Sequence, residues 1–208
     1  MRLKIVQVGE PVLRQRARAL TPQEILGGEI QQLIAHLRET MHDAPGVGLA
    51  APQVGLSLQI AVIEDSEESL RDIAPAQLVE RERRPVPFHV IINPVIRHAD
   101  VANLEFFEGC LSLAGFSAIV PRARRVTVEC LDEHARPRVI QASGWYARIL
   151  QHEIGHLHGE LYIDHMRSRT FTSLDNFGRF FKSKPIRETL SELDAEKKQF
   201  EQRPPPLD

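Results

Sequence analysis

Apolar residues recur along this chain with two different periods, and each change of period marks an element. Leu26, Ile30, Leu33, Ile34, Leu37 and Met41 recur at helical spacing, which predicts a helix over 22–42 with one apolar face. Thr21-Pro22-Gln23-Glu24 supplies its start, a capping box with proline at the first helical position. Gly27-Gly28 weakens the first turn, so the start is free to slip past them. Pro45-Gly46-Val47-Gly48 then ends the helix in a loop.

From there the pattern becomes extended. Apolar runs of strand length lie at 58–63 and 88–92, separated by a charged, proline-bearing stretch at 64–87 that reads as a loop. Its cluster Arg81, Arg83, Arg84, interrupted by Glu82, reads as solvated. Val126, Val128 and Cys130 alternate with Thr127 and Glu129, the period of a half-buried strand. A turn at 132–137 leads into Arg138-Val139-Ile140. A second strong helix is predicted over 144–158, with Ser143 as its cap and Gly159 as its stop. From Lys182 on the chain holds six basic and six acidic residues and three closing prolines. Leu190, Leu193 and Phe200 could give a helix there a thin apolar stripe, and the last residues are expected to be disordered. No repeat or second domain is visible. The chain divides into a domain over 1–175 and a charged extension over 176–208.

Composition narrows the function classes. A net charge of −2 argues against a nucleic-acid binder, which needs a basic field over a whole face. Two cysteines are too few for a disulfide framework; they could form one bridge, but one working thiol and one packed thiol are expected. The N-terminus, Met1-Arg2-Leu3-Lys4-Ile5-Val6, has neither the apolar run of a signal peptide nor the Arg- and Ser-rich character of a transit peptide. No stretch reaches the ~20 apolar residues of a membrane span. A soluble cytoplasmic protein is expected.

The strongest chemical signal is His152-Glu153-Ile154-Gly155-His156. Residues four apart on a helix lie one above the other on one face, so His152 and His156 can share a metal ion. Glu153, beside them, can reach a water at that ion as general base. The rest of the helix is apolar, with Trp145, Ile149, Leu150, Ile154 and Leu157. Ionisable groups on such a buried surface cost several kcal/mol unless paired, and a cation resolves that cost. A catalytic site of this kind takes three protein ligands. Cys110, in Glu108-Gly109-Cys110-Leu111-Ser112, is the best third, because Gly109 lets it approach the helix closely. The alternative fate of an isolated cysteine is simple burial, which fits Cys130 better. In Gly46-Val47-Gly48-Leu49-Ala50-Ala51-Pro52-Gln53, paired glycines permit close backbone approach and Gln53 offers an amide donor. A tight turn with an exposed Gln53 fits the same residues.

Taken in order, these three segments resemble the GxGLAAxQ, EGCxS and HExxH motifs of the peptide deformylase family. The resemblance covers most of 1–175, and is closest to the branch that includes mitochondrial-type members. Together with the element pattern it implies an α+β fold, with small antiparallel or mixed sheets packed around a central helix carrying HExxH, an N-terminal helix and a C-terminal tail able to form a helix. It implies Cys110, His152 and His156 as metal ligands and Glu153 as general base and then general acid. Gln53 and the Leu111 N–H would stabilise the oxyanion. The substrate would be the formyl-methionyl end of a nascent polypeptide, at the ribosome, releasing formate. Its backbone would pair near Val47-Gly48 and Ala114-Gly115, with Trp145 and Ile149 lining the methionine pocket; plain core packing is the alternative for Trp145. Ferrous iron is favoured, and Zn2+, Ni2+ or Co2+ would also suit these ligands.

The chain departs from the family where Gly155 stands in place of the usual Asp, whose expected partner is Arg122. That pair cannot form, so a less rigid helix or weaker activity is expected. Two other readings compete. One is a zinc peptidase cutting internal peptide bonds, with Glu160 or His165 as third ligand. The other is a non-catalytic metal-binding module.

Overall fold

The structure is a computed structural model describing residues 1–44, 46–101 and 103–201, with side chains described up to residue 195. Pro45 and the last residues, 202–208, lie outside the described residues, as does the Phe200 side chain.

Thr21 caps helix α1 (Pro22–Leu26), accepting from the Glu24 N–H, while the Glu24 carboxylate accepts from the Thr21 N–H. The predicted single helix is broken. Gly27 is extended (φ −71°, ψ 147°), and α2 (Gly28–Asp43) starts anew behind it. The break changes the helical phase, so Ile25 is buried and Leu26, expected on the apolar face, is 60% exposed.

Five strands form the main sheet: β1 (Gly48–Ala50), β2 (Ile60–Asp65), β3 (Val86–Ala99), β6 (Arg125–Leu131) and β7 (Pro137–Ser143), in the order β1-β2-β3-β6-β7. Between β3 and β6 the chain builds β4 (Asn103–Cys110) and β5 (Leu113–Ala123), which the apolar pattern did not announce. With β8 (Thr172–Ser173) they form a second sheet, β4-β5-β8, and every pair of named strands is antiparallel.

Side chains on a strand alternate between faces, and the main sheet is covered on both. Ile60, Val62, Val90 and Ile92 pack against Leu33, Ile34, Leu37 and Met41 of α2. The intervening Ala61, Ile63 and Ile91 join Val126, Val128 and Ile140 against the central helix α5 (Gly144–Leu157). Double coverage is why these strands read as continuous apolar runs. Each fully buried Leu or Ile contributes roughly 1.5–3 kcal/mol. Cys130 packs in the α5 layer, and burial pushes its thiol up to about 11. It is the packed thiol that the sequence suggests.

Helix α5 begins after Ser143, whose side chain makes no capping hydrogen bond. It stops at Gly159, where φ is +81° and a Cβ would strike the Arg14 backbone. The 64–87 stretch is not a plain loop, because it holds α3 (Glu67–Leu70) and α4 (Pro75–Glu80). Of its arginines Arg84 is exposed, but Arg81 and Arg83 are not simply solvated. Arg83 makes a two-pronged ion pair with fully buried Asp65 (2.7 and 2.9 Å), and Arg81 lies over the Trp145 ring. At the C-terminus, α6 (Leu174–Phe180) runs across position 175 and α7 (Ile186–Glu201) follows, with Leu190 and Leu193 half-buried.

Buried His89 ties β3 to α5. Its Nδ1 is 2.9 Å from the Pro87 carbonyl and its Nε2 2.9 Å from the Tyr146 hydroxyl. Donation from Nδ1 to the carbonyl leaves Nε2 to accept from Tyr146, a neutral ring with both nitrogens satisfied. Burial lowers the His89 pKa. The unfolded chain therefore binds a proton that the folded chain refuses as pH falls through the ordinary histidine range, and stability is lost on acidification. Thermal midpoints between pH 7.5 and 5.5 should fall less steeply in His89→Gln than in the parent. Equal slopes would rule His89 out as a contributor.

Candidate active site

The site forms where α5 faces the ends of β1 and β4. His152 and His156 project from one face of α5 with ring centroids 4.9 Å apart. Cys110 ends β4 beside a register shift at Gly109, which turns its thiol toward the helix. Its Sγ lies 3.3 Å from His156 Nε2. One ligating atom from each of Cys110, His152 and His156 lies within 4.8 Å of the others, and the described residues offer no other such group. The rival third ligands, Glu160 and His165, bond each other instead at 3.0 Å and lie outside the trio. The peptidase reading that needed one of them is not supported.

Glu108 organises the trio, although the sequence showed it only as a neighbour of Cys110. Its buried carboxylate accepts from Arg122 at 3.0 Å twice, from Arg148 at 2.5 Å and from His152 Nδ1 at 3.1 Å. Burial alone would raise its pKa, but His152 and Arg122 hold it well below the carboxylate range. The Nδ1 bond fixes the His152 tautomer and leaves Nε2 facing the trio. Burial resists charging of His152, yet the Cys110 and Glu108 bonds outweigh it and lift the ring to about 10. A cation at Nε2 would displace that proton. Burial drives His156 the other way, well below its ordinary value, which favours the neutral ring that a metal ligand needs.

Glu153 is buried, and burial pushes its pKa up to about 7. Its Oε2 has no hydrogen-bond partner among the described residues. The carboxylate lies against β1 at Gly48, where any Cβ would collide with it. This is the close approach that the first motif's glycines allow. Gln53 is buried rather than exposed. Its Oε1 accepts from the Ala50 N–H at 2.9 Å, which turns Nε2 toward Cys110 Sγ at 3.5 Å. An unpartnered buried carboxylate oxygen beside converging thiol and imidazoles fits a divalent cation held by three ligands, and a structural site would want four.

A cavity of about 450 Å³ opens over this group. Val47, Gly48 and Gln53 line one side, Leu111, Ala114 and Gly115 another, and Trp145 and Ile149 of α5 its floor with His152 and Glu153. Every substrate-contact residue expected from the sequence is on this cavity. His156 sits behind it, fully buried. Sequence reasoning missed Gln7, whose side chain donates to the Leu111 carbonyl (3.0 Å) and accepts from the Ala114 N–H (3.3 Å). It also missed Arg148, one turn before His152. A lone arginine on an apolar helix face was the available signal.

The family model for polypeptide deformylase matches residues 2–172. The chain belongs to the polypeptide deformylase family. It is 44% identical over 173 residues to peptide deformylase 1A, chloroplastic/mitochondrial, of Arabidopsis thaliana, covering 83% of this chain and 64% of that protein. It thus spans just under two thirds of that relative's length. It is also 44% identical over 170 residues to the human mitochondrial peptide deformylase, covering 82% and 70% of the two chains. Among solved structures, the Met-Ala-Ser-bound class I type b peptide deformylase of Acinetobacter baumannii superposes with a TM-score of 0.71 at 28% identity, covering 80% of this chain and 99% of that one.

The arginines around Glu108 set a stability test for this deformylase-family fold. Glu108→Ala leaves Arg148 and Arg122 buried without their carboxylate, which should cost about 3–5 kcal/mol in urea unfolding. An unchanged midpoint would show that Glu108 anchors nothing.

Proposed function

We propose that this protein is a metal-dependent deformylase that hydrolyses the N-formyl group of a formyl-methionyl polypeptide, releasing formate and a free amine. One observation carries the reading: the buried Glu153 carboxylate and the pinned Gln53 amide flank a three-ligand Cys110–His152–His156 group at one end of an apolar cavity. The catalytic domain is assigned to 1–175, with 176–208 as a charged extension.

Cys110, His152 and His156 would hold one divalent cation, with Fe2+ favoured and Zn2+, Ni2+ or Co2+ able to substitute. When bound, the cation supplies Lewis-acid stabilisation and eases deprotonation of water at neutral pH. Val47-Gly48 and Gly115 present backbone to an extended peptide. Trp145 and Ile149 receive the methionine side chain. Glu153 takes the proton of the attacking water and passes it to the leaving nitrogen, a task suited to a carboxyl raised to about 7. Gln53 Nε2 and the Leu111 N–H donate to the oxyanion, each worth about 3 kcal/mol in the transition state.

No helix among the described residues is long and apolar enough to cross a membrane. The cytoplasm and the emerging chain at the ribosome are part of this proposal. They would be tested by fractionation and by co-sedimentation with translating ribosomes.

The direct measurement is formate release from a formyl-Met peptide under anaerobic conditions with Fe2+, Ni2+ or Co2+. No release from folded, metal-loaded protein would end the deformylase reading. Glu153→Gln should keep its metal and lose about 10²–10⁴ in kcat, whereas Cys110→Ser should lose metal in elemental analysis. Unaltered metal content in Cys110→Ser would remove that cysteine from the ligand set.

A further inference from the structure

The family match ends at residue 172, but the chain beyond it returns to the cavity. Strand β8 pairs Ser173 with Phe116 of β5. Helix α6 starts at the next residue, with the Ser173 hydroxyl accepting from the Asn176 N–H. That geometry sets Leu174 on the cavity while half of it stays exposed. Phe116, also on the cavity, stacks on Phe171 at 5.0 Å with the rings 8° from parallel. A third cavity residue, Phe107, is backed from the C-terminal side by Phe177 (4.9 Å) and Phe181 (5.2 Å).

This wall is anchored. Gln77 of α4 donates to the Lys182 carbonyl at 2.6 Å, and Glu80 accepts from the Ile186 N–H at 3.1 Å. Thr189 of α7 is buried. Phe116, Phe171 and Leu174 are nonetheless 41%, 42% and 50% exposed, an apolar rim continuous with the cavity. Both arginines on the cavity are already paired, Arg83 with Asp65 and Arg148 with Glu108.

The geometry points to the 171–181 segment as part of the peptide site: Leu174, with Phe116 and Phe171, forms a rim that selects an apolar side chain at the second or the third residue of the substrate. The inference rests on the deformylase reading for its ligand, because the first side chain fills the deep pocket and the following residues must leave past Gly115 and Phe116. An extended peptide turns successive side chains to opposite sides, so one of the two residues meets this rim.

Two measurements test it. Formate release compares formyl-Met-Leu-Phe with formyl-Met-Asp-Glu through KM. Binding of the unformylated peptides Met-Leu-Phe and Met-Asp-Glu is followed by fluorescence of Trp145, the chain's single tryptophan, which itself faces the cavity. The parent should favour the apolar peptide about fivefold or more, the scale of a partly buried leucine. Leu174→Ser should narrow that ratio to under about twofold, Leu174→Lys should favour the acidic peptide, and Phe180→Ser, outside the cavity, should keep the parent ratio. A parent without preference, or Leu174 variants with the parent ratio, would overturn the rim. Selective peptide binding without formate release from any formyl peptide would leave the rim standing and remove the deformylase reading instead.

Discussion

One buried carboxylate holds the functional end of this molecule together. Glu108 sits on β4 and draws Arg122 from β5 and Arg148 and His152 from α5 onto the same two oxygens. A carboxylate in such a place is costly unless its partners are close and complete. Here two guanidiniums and an imidazole provide that company, and Arg148 also donates to the Val120 and Leu104 carbonyls. The same contacts dock the small sheet on the central helix and aim His152. Stability and the orientation of a metal ligand therefore depend on one group.

The network also bears on Gly155. The resemblance implied an Asp there paired with Arg122, and its absence suggested a loosened helix. Arg122 is paired with Glu108 through Nε and one Nη, so its guanidinium has a carboxylate partner without the missing Asp. Helix α5 continues unbroken through Gly155 to Leu157. A Cβ at 155 would meet only Glu160, at ordinary contact distance. A Cβ there would be accommodated without displacing a neighbour.

Around this centre the architecture divides its labour. The main sheet, covered by α2 and α5, supplies the rigid mass. The site is assembled at the junction with the small sheet, where β1 brings Gly48 under Glu153 and β4 brings Cys110 under His156. Two segments that read as peripheral close the rim. The 64–87 stretch contributes Arg83, and the chain after β8 contributes Leu174. They are joined to each other through Gln77 and Glu80.

What the sequence by itself determined is local in origin. The four-residue spacing of His152 and His156 places both on one helical face whatever surrounds them. The apolar runs at 58–63 and 88–92 must be buried strands because no polar face exists to meet water. Family resemblance added Cys110 and Gln53, which spacing alone left open between ligand and packed thiol, oxyanion donor and exposed turn. Only the tertiary structure decided what arises between distant segments. Glu108 meets partners 14, 40 and 44 residues away, and Gln7 reaches over 100 residues to Leu111. Strands β4 and β5 escaped the pattern because their pairing, rather than a regular apolar period, defines them. Arg84 is exposed as a charged run implies, but Arg81 and Arg83 depart from that reading because a buried Asp65 and the Trp145 ring stand opposite them. Such pairings follow from packing geometry, and no local sequence pattern encodes them.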